Sequence, residues 1–247
     1  MSEFSVEVIN KILELGEPHC QTIGKIEYCD KRLYPIDEDY RAEPITTGTL
    51  SSLVSYIKEF SDVDGINFVD YMIHIESPRS VKIVSKLTSE RKREVIMNAI
   101  PDTKPFEFGQ YHDHESFIIG VKSMFVDDPE TDKNLVIQFA GTVTQGTVKE
   151  YGDDGITQRA QIKTGITTKQ DAVVPSPCTL RPFRTFIEVE QPASEFVFRM
   201  KEGRNGVESA LFSADGDMWR IKAMENIKKY LEDQFKKENI VGMTIIM

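Results

Sequence analysis

Cysteine is scarce in this chain, and the few cysteines do not form a motif. There are three, Cys20, Cys29 and Cys178, and no CxxC pair occurs. An odd count without such a pair argues against a disulfide framework and against a structural zinc knuckle. Hydrophobic residues make up 40% of the chain, so we expect a globular protein whose stability comes from its core.

The chain also lacks the segments that direct proteins into or across membranes. No apolar run approaches the roughly 18 residues that a membrane-spanning helix needs. Residues 1–10 show no basic stretch followed by an apolar one, which is the pattern of a signal peptide. We therefore expect a cytoplasmic protein that makes no membrane contact.

The motifs of several common enzyme classes are missing as well. The GxSxG nucleophile elbow, the Walker P-loop and the GxGxxG dinucleotide fingerprint do not occur. Ser176 and Ser194 have no His or Asp partner at a motif spacing. The sequence thus favours a non-enzymatic protein, and it indicates no cofactor.

Negative charge dominates the composition. The 247 residues include 40 acidic and 30 basic side chains, for a formal net charge of -10. This charge disfavours nucleic acid as a partner, although a local basic patch would still permit it, and it opposes contact with anionic membranes. The basic stretch from Arg79 to Arg93 is typical of a solvated corner or of a phosphate-facing edge.

Hydrophobic periodicity predicts an α+β fold in two parts. The first part, residues 1–100, is a smaller α/β-type region. Its helices are predicted over 4–15, from Thr49 onward and over 88–100, and its strands over 66–76 and 81–87. Thr49 is expected to cap the second helix, whose apolar face comprises Leu50, Leu53, Val54 and Ile57. Prolines and a glycine make residues 101–112 typical of a linker. The second part is then 101–247, although one continuous domain fits the pattern too.

The second part is predicted to be a mainly antiparallel sheet with packed helices. Asp113 is expected to cap one helix, and a last helix follows Asp215 with Trp219 as a core anchor. Alternating apolar residues predict the strands. These strands are predicted over 135–143, 156–164, 178–189, 194–201, 207–213 and 240–246.

Three short segments follow one another between residues 150 and 220. They are 153–158 (DDGITQ), 180–186 (LRPFRTF) and 194–199 (SEFVFR), with Trp219 beyond them. This order resembles the YfdQ-like family of uncharacterised phage and prophage proteins, and the resemblance is looser over 49–149. It implies a phage or prophage setting in a bacterial host cell. Since the family carries no established activity, the resemblance implies no catalytic residues.

The segment LRPFRTF is the main candidate for ligand binding. Arg181 and Arg184 flank Phe183, and Pro182 stiffens the segment. Guanidinium groups beside an aromatic ring suit a phosphate or a stacked base. The alternative interpretation is structural: the arginines form buried ion pairs with Glu188, Glu190 or Glu195.

A second candidate comprises Asp153, Asp154 and Gln158. Paired carboxylates can bind a ligand or a metal, or can transfer protons. An Asp-Gly pair is also what a tight hairpin turn requires, which explains Asp154-Gly155 without a ligand. Gln158 suits a ligand amide or a base edge, and it equally suits a solvent-facing strand position.

His112 and His114 are the weakest candidates. On an extended segment, residues two apart point to the same side, so these histidines could share a metal. The segment nevertheless stands where a helix is predicted to begin, and Asp113 and Glu115 are typical of a helix N-terminus. We therefore predict no metal site.

These patterns lead to three hypotheses about function. The first is a non-enzymatic phage or prophage accessory protein that binds a small anionic, nucleotide-like ligand, nucleic acid or a host protein, in DNA metabolism or against host defence. The second is a self-assembling homo-oligomer that pairs through the edge strand at 240–246, and a homo-oligomer is expected in either case. The third is a metal-dependent hydrolase using the histidines and the Asp153-Asp154 carboxylates.

Overall fold

A computed structural model describes residues 5–24, 26–31, 43–60, 71–87, 91–143, 159–164, 168–173, 176–204 and 206–247. These residues form five helices and thirteen strands, which confirms the predicted α+β class. The chain divides into two compact units, Met1–Arg41 and Ala42–Met247. None of the helices in the described stretches is long and apolar enough to cross a membrane.

The first unit contains one helix and one hairpin. Helix α1 (Val6–Gly16) is capped by Ser5, whose hydroxyl accepts a hydrogen bond from the Val8 N–H at 3.4 Å. It ends before Pro18, as predicted, because the residue preceding a proline avoids the helical conformation. Strands β1 (Cys20–Ile23) and β2 (Ile26–Cys29) pair antiparallel, and Gly24, directly after β1, has φ +70°.

The second unit contains a mixed five-stranded sheet in the order β13-β4-β5-β6-β3. Its strands are β3 (Ile45–Thr47), β4 (Tyr71–Ser77), β5 (Ser80–Ser85), β6 (Val95–Ala99) and β13 (Thr244–Ile246). Helices α2 (Leu50–Phe60) and α5 (Trp219–Lys237) share one hydrophobic core with this sheet. Because β13 pairs with β4, the sheet uses strands from both sides of residue 100, where the sequence suggested a boundary.

Helix α2 buries the face that its sequence predicts. Leu50, Leu53, Val54 and Ile57 are all buried. The predicted cap residue, Thr49, lies just before the helix, and its hydroxyl is hydrogen-bonded to Ser52 Oγ at 2.7 Å. Burying four apolar side chains in this way contributes several kcal/mol, on the order of 1.5–3 kcal/mol each.

A four-stranded antiparallel sheet forms the rest of the second unit's core, in the order β10-β11-β12-β7. Its strands are β7 (His112–Asp113), β10 (Cys178–Leu180), β11 (Ser194–Gly203) and β12 (Gly206–Ser213). Helices α3 (His114–Met124) and α4 (Lys133–Thr142) pack on it around a cluster of phenylalanines. This sheet confirms the predicted antiparallel C-terminal half. Strands β8 (Arg159–Thr164) and β9 (Thr168–Val173) form a separate hairpin.

Two predicted elements are of the wrong type, and the strand predicted over 178–189 is too long, since only Cys178–Leu180 form β10. Residues 88–100 were expected to form a helix, but 95–99 form β6, which pairs with β5 on one side and β3 on the other. Its apolar residues include Val95 and Ile96, whose branched side chains suit a strand between two neighbours. In this stretch, pairing within the sheet overrides helix propensity.

The second error concerns residues 135–143, which were expected to form a strand and instead lie mainly in helix α4. Val136, Phe139, Ala140 and Val143 are buried. Their spacing of three and four is helical, but the same stretch also alternates in the sense of a strand. Six of the nine residues over 135–143 are apolar, so the run matches both periods and periodicity alone could not distinguish them.

Candidate functional site

The segment 181–193 connects the two cores of the second unit. Leu180, just before it, belongs to the core of the four-stranded sheet, whereas Phe186 and Val189 belong to the core of the five-stranded sheet. The side chain of Gln191 stabilises this connecting segment. Its Oε1 accepts a hydrogen bond from the Arg184 N–H at 3.1 Å, and its amide donates to the carbonyl of Phe186 at 2.8 Å. The predicted candidate segment therefore has a structural role as a connection.

Arg181 is anchored by carboxylates. Its Nη1 lies 2.8 Å from Asp128 Oδ2 and 3.7 Å from Glu190 Oε1. Its carbonyl accepts a hydrogen bond from the Val126 N–H at 2.8 Å. This geometry matches the ion-pair interpretation for Arg181, with Glu190 as one of the three predicted partners and Asp128 as an unpredicted one.

Arg184 is held differently. It is only 5% exposed, and its guanidinium lies 4.1 Å from the ring centroid of Trp219, with Phe196 and Phe108 slightly below 6 Å. Its Nη2 donates to Ser194 Oγ, while its Nε is buried without a hydrogen bond. Among the described residues, no carboxylate oxygen lies within 4 Å of this guanidinium.

Burial shifts the ionisation of Arg184. Desolvation lowers the pKa of the guanidinium to about 10, and the negative charges of Asp215 and Asp217 only partly oppose this shift. The group is still charged at neutral pH. A charge that is removed from water without an ion pair is costly unless something else compensates for it.

Asp215 lies across Ser194 from Arg184. Its Oδ1 accepts from Ser213 Oγ at 3.1 Å and from the Asp217 N–H at 3.2 Å, whereas its Oδ2 is buried without a partner. Burial raises the pKa of this carboxyl, but the neighbouring hydroxyls of Ser194 and Ser213 and the charge of Arg184 outweigh it, so the pKa lies below its usual value. Asp215 is therefore ionised at neutral pH.

A pocket of about 360 Å³ opens above this pair of charges. Its lining consists of Thr179, Ala193, Ser194, Glu195, Asp215, Met218, Trp219 and Lys222. Arg184 lies beneath two of the lining residues, Ser194 and Trp219, because it contacts both. The volume falls within the range of small-molecule sites, and the polar atoms at its floor can both donate and accept hydrogen bonds.

The role predicted for Trp219 is wrong. It was expected to anchor the core, but it is half-buried at the first residue of α5, and its Nε1 donates to Asp217 Oδ1 at 3.2 Å. Its ring covers Arg184. Sequence reasoning also missed Ser194 and Asp215, which come from β11 and from the turn after β12. The Asp-Gly-Asp turn before Trp219 was the one visible signal.

The remaining candidates do not join this pocket. Phe183 is half-buried, and its N–H donates to the carbonyl of Met124 at 2.8 Å. Asp153, Asp154 and Gln158 lie outside the described residues, so their roles stay predictions.

His112 and Asp113 have structural partners. His112 Nε2 is hydrogen-bonded to the Glu107 carbonyl at 2.9 Å, and His114 is exposed at the start of α3. Asp113 caps α3, as predicted, by accepting from the N–H groups of Glu115 and Ser116 at 3.1 and 3.0 Å. In the part of the chain that the structure describes, no three His, Cys, Asp or Glu side chains cluster as a metal site would require.

A larger cavity lies between the start of α3 and the end of the β11–β12 hairpin. Four carboxylates line it, from Asp113, Glu115, Glu202 and Glu208. Lys201 is ion-paired with Glu208 at 3.2 Å, and Asp113 serves the helix cap. Since two of these four carboxylates, Asp113 and Glu208, already have partners, the pocket above Arg184 is the better candidate site.

Comparison with known proteins does not extend these observations. No family model, no curated protein and no solved structure matches the chain. The resemblance to the YfdQ-like family therefore stays a prediction.

Proposed function

We propose that this protein binds a small anionic ligand in the pocket above Arg184 and Trp219, and that it is a binding protein without catalytic activity. One observation carries the proposal: a buried guanidinium that has no carboxylate within 4 Å among the described residues and an Nε without a hydrogen bond. A carboxylate or phosphate in the adjoining pocket would supply the missing negative charge.

The other lining residues narrow the chemistry of the ligand. Lys222, on the rim, is 63% exposed and ion-paired with Glu225 at 3.3 Å, and it adds a second positive charge. The unpartnered Asp215 Oδ2 can accept a hydrogen bond, which a hydroxyl or amino group of the ligand would donate. An anion that also carries such donors, as a nucleotide does, fits this set better than a bare phosphate ion.

The setting is proposed on sequence grounds alone. A phage or prophage accessory role, in DNA metabolism or against host defence, rests on the resemblance of the segments between residues 150 and 220. A cytoplasmic location in the bacterial host belongs to the same proposal. In the cytoplasm, nucleotides and other small anions are abundant enough to occupy a modest site.

The only tryptophan of the chain makes binding directly measurable. Because Trp219 lines the pocket, ligand binding should change its fluorescence saturably during titration with inorganic phosphate or with nucleoside monophosphates. Lys222→Glu should weaken binding about tenfold by reversing a charge at the rim. Lys229→Glu, the same change at an exposed position of α5 outside the pocket lining, should leave the affinity unchanged.

Native mass spectrometry of gently purified protein tests the same proposal without choosing a ligand. A bound species of a few hundred daltons, lost on denaturation, supports it and gives the ligand mass. A ligand-free mass together with flat titrations contradicts it, and would shift the interpretation to a host protein or nucleic acid as the partner.

Self-assembly is the second candidate, because β13 lies at the edge of the five-stranded sheet. Among the described strands β13 pairs only with β4, so its other edge is available to a strand from another chain, and Ile246 is 40% exposed. Light scattering over a wide concentration range should then show an oligomer that Ile246→Lys disrupts. A monomer throughout would end this candidate. The described residues offer no metal-binding geometry from which to argue the hydrolase hypothesis.

A further inference from the structure

Two of the three cysteines lie directly opposite each other in the first unit. In the hairpin of β1 and β2, Cys20 pairs with Cys29 at the open end, and Ile23 pairs with Ile26 at the turn. Both cysteines are exposed and unbonded, whereas Cys178 is buried in the second unit. The odd cysteine count thus comprises one facing pair and one isolated thiol.

The hydrogen-bond pattern identifies the type of pair. Just beyond the strands, the Asp30 N–H donates to the His19 carbonyl at 3.1 Å. Hydrogen-bonded and non-hydrogen-bonded pairs alternate along an antiparallel ladder, so the next pair inward, Cys20 with Cys29, is non-hydrogen-bonded. Cα atoms at such positions are about 4.5 Å apart, which lies within the range of about 4.4–6.8 Å that disulfides span.

The two thiols already interact. The hydrogen bond between the side chains of Cys20 and Cys29 raises the pKa of Cys20 to about 11. Cys20 therefore keeps its proton at neutral pH, and Cys29 is the sulfur expected to attack first. The hairpin places the second thiol next to any bond that the first one forms.

We propose that Cys20 and Cys29 are a modification site that forms a reversible disulfide across the hairpin by exchange with a low-molecular-weight disulfide such as oxidised glutathione. The Cys29 thiolate attacks one sulfur of the glutathione disulfide and releases one glutathione thiolate. Cys20 then loses its proton to solvent, attacks the Cys29 sulfur and expels the second glutathione. The two cysteines lose two electrons and two protons, which two glutathione molecules gain.

Exposure and position give this bond consequences for the fold. Exposed disulfides are the labile ones, so a reducing compartment would keep the pair as thiols and an oxidising shift would close it. Among the described residues the sheet of this hairpin has two strands, and a two-stranded hairpin is marginally stable by itself. A bond at its open end would close the ring opposite the turn and stabilise it. This inference does not depend on the anion pocket.

The test uses the full-length reduced protein, incubated in buffers with increasing ratios of oxidised to reduced glutathione. Free thiols are then blocked and the protein is digested with trypsin. Lys25 separates the two cysteines, so the cross-link is detected as peptide 12–25 joined to peptide 26–31. We expect this species at any protein concentration and its loss after dithiothreitol.

Matched variants complete the experiment. Cys178→Ser should retain the cross-link, because burial raises the pKa of Cys178 to about 12 and makes that thiol unreactive. Cys20→Ser and Cys29→Ser should each abolish it. The inference is overturned if oxidised glutathione modifies Cys20 and Cys29 separately without joining the peptides, or if the joined peptides occur only in covalent dimers.

Discussion

The first two helices of the chain have the same length and similarly amphipathic sequences, but their apolar faces differ in burial. Helix α2 buries Leu50, Leu53, Val54 and Ile57 in the core of the second unit. Helix α1 has no buried residue, and its apolar side chains, among them Ile12 and Leu13, are exposed. An amphipathic pattern thus shows which face of a helix can be buried, but the partner comes from the rest of the fold.

The N-termini of these helices differ in the same way. The cap of α1 is local, since Ser5 accepts a hydrogen bond from Val8 three residues ahead. The first N–H groups of α2, at Leu50 and Ser51, donate to the carboxylate of Glu188 at 2.6 and 2.9 Å. Glu188 lies far along the chain, so the start of α2 depends on the tertiary fold.

The largest expected difference between the two helices comes from truncating one leucine in each. Leu53→Ala removes a fully buried side chain and should lower the free energy of unfolding by about 2–5 kcal/mol. Leu13 is 65% exposed, and Leu13→Ala should change it by less than about 0.5 kcal/mol. Urea unfolding followed by circular dichroism and by Trp219 fluorescence measures both.

The same two variants also test whether the apolar face of α1 is exposed in solution. If Leu13→Ala destabilised the protein as strongly as Leu53→Ala, the apolar face of α1 would have to be covered in solution. If the destabilisation by Leu13→Ala depended on protein concentration, a second copy of the chain would be what covers this face. The exposure of α1 would then be a property of the isolated chain alone.

The next largest effect is expected at the remote cap. Glu188→Ala removes the acceptor for two N–H groups and a negative charge at the start of α2, and should cost about 1–2 kcal/mol of unfolding free energy. Ser5→Ala removes a local cap on an exposed helix and should leave the Trp219 unfolding midpoint unchanged. Chemical denaturation of the two variants measures the difference.

Glu188→Gln provides the control, because glutamine keeps an accepting oxygen and loses the charge. Its stability should lie between the wild type and Glu188→Ala. The Tyr230 hydroxyl also donates to Glu188, at 3.4 Å, so Tyr230→Phe in the same background separates that contact from the cap. If Glu188→Ala were as stable as the wild type, water would satisfy these N–H groups equally well.

Hydrophobic spacing and the residue types at helix ends predicted those parts of the fold in which one hydrophobic period, that of a helix or that of a strand, dominates the sequence. The buried face of α2 and the Asp113 cap of α3 followed from spacing and residue type alone. Periodicity failed for α4, where the apolar residues match both the helical and the strand period, and for β6, where strand partners on both sides decide the conformation. In each case the missing information was the identity of the neighbouring elements.

The candidate site was predictable only in part, because its residues are distant in sequence. Arg184 was singled out by its place in LRPFRTF, but the features that distinguish it from Arg181 are tertiary: Arg181 has carboxylate partners, while Arg184 lies beneath Trp219 and Ser194. The pairing of Cys20 with Cys29 likewise depends on the hairpin register. Composition showed three cysteines but could not show which of them face each other.

The smallest expected effect concerns the third helix, whose cap is local like that of α1 but lies on a helix with a buried face. Hydrogen bonds from Ser116, and then from the Glu115 N–H, hold the pKa of Asp113 below its usual value of 3.8. A lowered pKa means that the folded protein binds the proton less tightly than the unfolded chain. The stabilisation is therefore complete above the usual pKa and is lost as the pH falls through the lower, folded value.

Asp113→Asn isolates this effect, because asparagine caps helices well and does not titrate in this range. At neutral pH the wild type should be more stable than the variant by about 0.3–0.5 kcal/mol, since solvent screens an exposed charge near a helix N-terminus. Urea unfolding at several pH values should show this difference shrinking below the usual pKa of aspartate. A difference that stayed constant would mean that the charge contributes nothing, and that Asp113 stabilises α3 through the geometry of its hydrogen bonds alone.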